Sequence, residues 1–333
     1  MTVTLKEVAE RAGVSRSAVS RTFTAGASVS AKTRAKVEKA AAELGYAPSA
    51  LASGLSTGRT KLIGLVSNNF RNPLFLEVFD LFTRAIQDRG LRPLLVNLSD
   101  GTGPEDPVRM LRQYSVDAVI VASSTLPAEF ALSCQAAGLP VVHAFGRASA
   151  QPRVPMVGID NVEAGRMAAR VLQARGYENI GFLGGPASAT TTQDRLEGLR
   201  QALSGVPGVT LSESFATAYS FDAGEAEMRR LLAAGPLADA YFCGDDVIAT
   251  GALSALRAAG RDVPGSVGLL GFNDMAAAAW GLIDLTTIRQ PLPEIIAASV
   301  DLAVQVAERP DQPPEQRILP LELVERGSLR TIG

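Results

Sequence analysis

Residues 4–21 read TLKEVAERAGVSRSAVSR, from Thr4 to Arg21, and the reading of this stretch organises the rest of the chain. Thr4 stands three residues before Glu7, the capping-box spacing in which a hydroxyl and a carboxylate each satisfy a backbone N–H left orphaned at a helix start. A first helix is expected, burying Leu5, Val8 and Ala9 and ending at Ala12, because Gly13 takes up a left-handed turn at the least cost. Ser15 caps a second helix that turns Ala18, Val19 and Phe23 towards the first and leaves Arg16, Ser17, Ser20 and Arg21 facing away. Ser30 opens a third, Ala31 to Leu44, stopped at Gly45 and carrying Val37, Ala40, Ala41 and Leu44 on one face. Two short helices joined by a glycine turn, the second polar and cationic, form a helix-turn-helix whose second helix fits the DNA major groove. A plain three-helix bundle is the duller alternative.

Charge argues against that alternative. Residues 1–61 hold ten Lys and Arg against four Glu, a net +6, which leaves −8 for the remainder of a chain whose total is −2. So uneven a distribution points one end of the molecule at a polyanion.

The order of segments is more specific than the motif alone. TLKEVAERAGVSRSAVSR, then VSAKTRAKVEKAAAELGYAPSALASGL, then KLIGLVSNNFRNPLF, and later LTTIRQP and LPLELVERGS, together resemble the lactose and galactose repressor family of bacterial transcription regulators. The resemblance spans essentially the whole chain. It implies an all-α DNA-binding headpiece at 1–47 and a hinge helix with linker at 48–61. Beyond these it implies an α/β, two-lobed, periplasmic-binding-protein-like domain of doubly wound parallel sheets at 62–333. The N-lobe would comprise about 62–160 and 291–318, the C-lobe about 161–288 and 319–330. In the family the hinge forms on operator DNA, where a Leu of each subunit wedges into the minor groove. Leu55 holds that place, with Tyr46, Pro48 and Ala52 in the preceding pattern. Ser49 and Gly54 depart from it, and a Gly inside a helix costs about 1 kcal/mol relative to Ala, so the hinge is expected to be weak without DNA. The implied DNA-contacting set is Thr4, Ser15, Arg16, Ser17, Ser20, Arg21, Ser28, Ser30, Thr33, Tyr46, Ser49, Ala52 and Leu55.

From Leu62 onward, apolar runs of strand length (LIGLV, LLVN, AVIVA, PVVHAF, NIGFLGG, AYFCG, SVGLLGF) alternate with amphipathic helical segments, in two series. Such βα repeats specify parallel sheets covered by helices, here two of them. Ligands bind beyond the carboxyl ends of parallel strands, so the residues just after each strand are the candidates. They include Asn68, Asn69 and the loop to Phe75, Ser123 and Ser124, Phe145 to Arg147, Gly184 to Arg195, Tyr219, Asp245 and Asp246, and Asn273 and Asp274. Amides, hydroxyls and carboxylates with a few aromatics are what a sugar needs: hydrogen-bond partners for its hydroxyls and a ring face for its C–H side. The resemblance sharpens the set. Arg195 with Gly198 looks like the family's inducer-binding R-x-x-G, Tyr219 falls where a ring-stacking aromatic is common, and Leu74 and Phe75 line the opposite wall. Two departures stand out: Asp245 replaces a usual Asn, and Asn273 a usual Asp. The expected effector-binding set is Asn68, Leu74, Phe75, Ser123, Phe145, Arg147, Arg195, Tyr219, Asp245, Asp246, Asn273 and Asp274. Helix capping is the duller role for Asp245 and Asp246, as it is for Asn161.

Other classes fit the inventory less well. One histidine, His143, and two distant cysteines, Cys134 and Cys243, supply neither a metal cluster nor a convincing triad, so no enzyme, metal or cofactor is expected. The absence of a signal-peptide pattern and of any membrane-length apolar run leads to an expectation of cytoplasmic, nucleoid-associated protein with no membrane partner. A secreted sugar-binding protein and a regulator answering to a protein corepressor are the remaining rivals. The expected partners are a pseudo-palindromic operator, a small sugar or sugar acid, and a second copy of the chain; no terminal Leu heptads suggest a tetramer.

Arg16 opens the recognition helix, where an Arg can grip guanine in two-pronged fashion. Arg16→Ala is expected to lose about 1–3 kcal/mol of discrimination at one position of each half-site. Selection from randomised DNA checks this, and an unchanged binding motif would remove Arg16 from base reading.

Overall fold

The computed structural model describes residues 3–24, 26–47, 59–68, 70–98, 105–123, 126 and 128–332. Ser49, Ala52 and Leu55 of the expected hinge, and Asn69 and Ser124 of the expected site, lie outside the described residues.

The chain divides into two compact units, one holding residues 1–61 with 115–117, the other 62–114 with 118–333. In the first, α1 (Leu5–Ala12), α2 (Arg16–Thr22) and α3 (Ala31–Leu44) enclose a small core of Val8, Ala9, Val19, Val37, Ala40 and Ala41. The capping box at Thr4 and Glu7 is complete, and Gly13 and Gly45 take left-handed conformations at φ 64° and 66°. Phe23 and Tyr46 close the core's edge with ring centroids 5.9 Å apart, and the Arg34 guanidinium donates to the Thr22 carbonyl at 2.9 Å, tying α3 to the end of α2.

The second unit contains two six-stranded sheets. Strands β1 (Leu62–Ser67), β2 (Arg92–Asn97), β3 (Ala118–Ala122), β4 (Val141–Ala144), β5 (Met156–Gly158) and β11 (Gln316–Ile318) form the first, ordered β11-β5-β4-β3-β1-β2 and parallel throughout. The second, ordered β12-β10-β9-β8-β6-β7, is built from β6 (Asn179–Gly184), β7 (Thr210–Phe215), β8 (Ala240–Cys243), β9 (Gly268–Phe272), β10 (Thr287–Arg289) and β12 (Glu322–Val324). Only β12 runs antiparallel to its neighbour. Helices α4 (Leu74–Asp88), α5 (Glu105–Gln113) and α6 (Ala128–Ala136) follow the early strands. With the second sheet go α7 (Asn161–Gln173), α8 (Thr190–Leu203), α9 (Phe221–Ala234) and α10 (Asp246–Ala258). The 17-residue α11 (Leu292–Glu308) packs back on β3, β4 and α4 of the first sheet.

The connectivity matters for function because the chain passes between the two sheets three times: after β5, after β10, and between β11 and β12. No described helix is long and apolar enough to cross a membrane.

One close approach fixes the second sheet's helices. A Cβ on Gly198 would lie 1.8 Å from the Val162 carbonyl oxygen, and one on Gly165 would lie 2.0 Å from that of Arg195, so α7 and α8 meet backbone to backbone. Gly198 of the R-x-x-G pattern is there to let α8, and with it Arg195, settle against α7. Gly198→Ala is expected to destabilise the protein by about 3 kcal/mol, the upper end of overpacking costs, as read from urea unfolding. Wild-type stability in that variant would show that the helices part without cost.

Candidate functional site

A cleft with about 40 Å3 of free space lies between the carboxyl ends of the two sheets. Its first-sheet wall is apolar and aromatic, made by Leu74, Phe75 and Val78 of α4 together with Phe145 and Ile159. The opposite wall is polar, made by Asn161, Thr191, Arg195, Tyr219, Asp245 and Asn273, while Asn72 and Gln290 stand at the junctions.

Arg195 dominates the polar wall. Only 6% exposed, it donates from Nε to the Asn161 Oδ1 at 2.9 Å and from Nη1 to the Gly244 carbonyl, and its Cζ lies 3.5 Å from the centroid of the Phe272 ring. Burial lowers its pKa from the usual guanidinium value, and the nearby Tyr219 and Asp245 oppose that effect. Nη2 makes no hydrogen bond to a described residue. A buried cation with donors to spare is the natural anchor for hydroxyl or carboxylate oxygens.

Asp245 is the counterpart. Its Oδ1 accepts the Val247 N–H at 2.8 Å and so caps α10, while Oδ2 accepts from the Asn72 amide at 2.8 Å and from the Asn273 amide at 2.9 Å. Asn72 precedes α4, which packs on the first sheet, so the Asn72–Asp245 bond joins the two walls directly; its own Oδ1 accepts the Leu74 N–H at 3.0 Å. Asn273 is held at φ 111° and its Oδ1 accepts from the Gln290 amide at 2.6 Å. The carboxylate at 245 and the amide at 273 thus complement each other. The departure from the family pattern keeps a hydrogen-bonded pair and moves its negative charge from one residue to the other.

Seven of the expected effector residues line the cavity: Leu74, Phe75, Phe145, Arg195, Tyr219, Asp245 and Asn273. Five do not, each for a visible reason. Ser123 donates to Asn68 at 2.7 Å, and both lie outside this wall. Arg147 reaches Asp194 instead, in an ion pair outside the cavity. Asp246 is turned away, accepting the Met275 N–H at 2.8 Å and the Thr287 hydroxyl at 2.7 Å. Asp274 is bound by Arg326 at 2.6 Å and by Arg289 at 2.7 Å, which neutralise it. Asn161 needs a correction too: Asp160 caps α7, accepting the Val162 and Glu163 N–H groups at 2.9 and 3.0 Å, and this frees Asn161 for Arg195. Asn72 and Thr191 lie in stretches the sequence marked without singling them out. Val78, Ile159 and Gln290 carried no signal beyond their strand or helix.

Tyr219 sits against Gly185, where a Cβ would lie 2.4 Å from its ring, and its hydroxyl pairs with Thr192 at 2.7 Å and Thr191 at 3.0 Å. That arrangement fixes the ring's plane at the cavity wall.

In the three-helix unit, Arg16, Ser17, Ser20 and Arg21 are exposed on α2, and neither arginine forms an ion pair with a described residue. Ser28 is exposed as well. Other expected DNA contacts are engaged structurally: Thr4 in the capping box, Ser15 capping α2, Ser30 capping α3 with its hydroxyl donating to Thr33 at 2.9 Å, and Tyr46 against the core. Caps at Thr4, Ser15 and Ser30 remain exposed, so their hydroxyls stay within reach of a backbone phosphate.

A helix-turn-helix unit with an open cationic helix, on the same chain as a two-sheet domain around a cavity with one polar wall, is the architecture of a DNA-binding protein with a ligand-binding domain. Residues 4–49 match the bacterial regulatory proteins of the lacI family, and residues 150–329 match the periplasmic binding protein-like domain. The HTH-type transcriptional regulator CelR of Thermobifida fusca is 34% identical over 297 residues, covering 86% of this chain and 87% of that protein. Among solved structures, a lac repressor dimer bound to operator and the anti-inducer ONPF superposes with a TM-score of 0.89 at 26% identity, covering 99% of this chain and 100% of that one. A CelR–cellobiose complex superposes at 0.72 and 30% identity, covering 98% and 99%. The chain belongs to the lacI family of bacterial transcription regulators.

The adjacent carboxylates have a pH signature. Burial pushes Asp245 up to about 6 and Asp246 up to about 8, the latter raised further by the Asp245 charge. Both folded values exceed that of an unfolded Asp, about 3.9, so the native state holds the extra protons and loses stability as pH rises from about 4 towards 8. Asp246→Asn keeps one acceptor for the Met275 N–H and offers a donor to Thr287. It is expected to flatten the pH dependence of the urea midpoint between pH 6 and 8 and to be the more stable protein at pH 8. Lower stability than wild type at pH 8 would mean the ionised carboxylate is preferred there.

Proposed function

We propose that this protein is an operator-binding repressor whose affinity for DNA is set by a neutral sugar-like effector held between the two sheets. The observation that carries the reading is the cavity's division into an aromatic, apolar wall and a buried Arg195–Asp245 wall. Such a pair hydrogen-bonds hydroxyls from both sides while Phe75, Phe145 and Tyr219 meet the C–H faces of a ring. Charge favours neutrality. Arg195 is offset by Asp245, Asp274 is neutralised outside the cavity, and Arg147 is paired with Asp194, so among the described residues lining the cavity no second cation stands ready for a phosphate.

A ligand hydroxyl competes with the Asn72 amide for Asp245, and so acts on a bond that joins the two walls. Whatever arrangement of the sheets the effector prefers, its effect on DNA affinity follows by linkage. The relatives support this reading: CelR forms a complex with cellobiose, and the lac repressor dimer binds operator together with a small ligand. The DNA-bound form is a two-fold homodimer on a pseudo-palindromic site in the cytoplasm at the nucleoid. Arg16, Ser17, Ser20 and Arg21 enter the major groove, and Leu55, with Ser49 and Ala52, serves as the minor-groove wedge. The headpiece is residues 1–47, the hinge 48–61, and the effector domain the remainder.

Operator release measured by fluorescence anisotropy during titration with saccharides tests the cleft assignment. Arg195→Ala and Tyr219→Ala are expected to raise the effector concentration needed at least tenfold. A response undiminished in both variants would place the effector elsewhere.

A further inference from the structure

Two residues with left-handed backbones meet where the chain enters the first sheet. Lys61, immediately before β1, has φ 60°, and Ser115, two residues before Asp117, has φ 50°. Neither is a glycine, for which that region is easy, and both are exposed, so burial does not offset the strain. A clasp joins them. Asp117 accepts the Thr60 N–H on Oδ1 at 2.9 Å and the Lys61 N–H on Oδ2 at 2.9 Å, and the Thr60 hydroxyl donates to the Ser115 carbonyl at 2.7 Å. Thr60, Lys61, Ser115 and Asp117 all belong to the compact unit that also holds the three helices.

Water would serve these N–H groups well enough, since Lys61 is exposed and Thr60 only half-buried. What a carboxylate adds is direction. One hydrogen bond lets a peptide swivel about it, whereas two bonds from consecutive N–H groups to the two oxygens of one side chain fix the peptide's plane and heading, and the negative charge strengthens both. The anchor is rigid as well. Asp117 stands between buried Val116 and Ala118, and Ala118 opens β3, which pairs with β1 from Ile63↔Ala118 to Val66↔Val121.

We propose that Asp117 is a positioning residue for operator binding: its two-oxygen grip on residues 60 and 61 holds the linker at one heading and so sets the half-site spacing that the dimer accepts. This rests on the reading of the chain as a two-fold operator-binding dimer and goes beyond it, because Asp117 belongs to neither the DNA-contacting nor the effector-binding set. A base pair inserted at the centre of a site moves the half-sites apart by about 3.4 Å and turns one against the other by roughly 35°. Linkers free to swivel absorb that change; linkers gripped at residues 60 and 61 do not.

The test uses the full-length protein and the two-fold site recovered by selection from randomised DNA, with copies carrying one base pair inserted or removed at the centre. Fluorescence anisotropy gives the ratio of affinities for the original and the altered spacing. Wild type is expected to favour the original spacing at least tenfold. In Asp117→Ala, with both N–H groups released, the preference is expected to drop to threefold or less, through weaker binding to the original site and undiminished binding to the altered ones. Asp117→Asn is nearly isosteric and retains a single acceptor oxygen; it is expected to fall between the two, and it decides the matter if the alanine variant does not fold. A preference that stays at the wild-type value in these variants, whatever the loss in overall affinity, would reduce Asp117 to a local brace and overturn the proposal. So would a wild-type protein indifferent to the altered spacing. If selection recovers no two-fold site, the reading as an operator-binding dimer falls and this inference with it.

Discussion

The arrangement of this molecule depends on keeping one guanidinium, that of Arg195, in the interior between two sheets. Taking an ion out of water costs several kcal/mol even after the surroundings relax, so the site must replace the lost hydration group by group. It does so with the Asn161 amide oxygen, the Gly244 carbonyl, the face of Phe272 and the nearby charge of Asp245. Each partner comes from a different element: the start of α7, the end of β8, the end of β9 and the cap of α10. The packing that permits this is equally specific. Without glycine at 165 and 198, α7 and α8 could not approach closely enough to bring Asn161 within 2.9 Å of Arg195.

The same wall is joined to the other sheet by the Arg147–Asp194 pair outside the cavity and by a hydrogen bond across it. Asn72 reaches Asp245 across the cavity, and the chain itself crosses three times, with Ile159, Asn161 and Gln290 at or beside two of the crossings. A ligand placed there touches both sheets and the segments that join them. A small molecule there is placed to bias the relation between the two sheets, and this is the physical content of the proposed control of DNA binding.

The headpiece was legible from sequence because its determinants are local. Thr4 with Glu7, Gly13, Ser15, Ser30 and Gly45 act within three or four residues of themselves, and helix bounds read from them agree with the structure for α1 and α3. The strand–helix alternation was equally plain, since buried parallel strands are continuous apolar runs. The site was harder, because which of several polar residues faces a cavity is settled by partners far away in sequence. Asp160 and Asn161 are both competent caps, and only the position of Arg195 assigns the cap to one and the cavity to the other. Asp274 looked like a ligand group until Arg289 and Arg326, 15 and 52 residues away, claimed it. Asn72 gave no sign of its reach to Asp245, 173 residues on.

The central claim is that occupation of the cleft and occupation of operator DNA are coupled. Calorimetric titration of the most effective saccharide into the free protein and into its operator complex measures that coupling from the ligand's side. Linkage requires the ratio of the two saccharide affinities to equal the ratio by which saturating saccharide changes operator affinity. The account predicts equal ratios, both differing from one by about 5–150-fold, the usual scale of allosteric coupling. A saccharide that binds the free protein and its operator complex with the same affinity would contradict it.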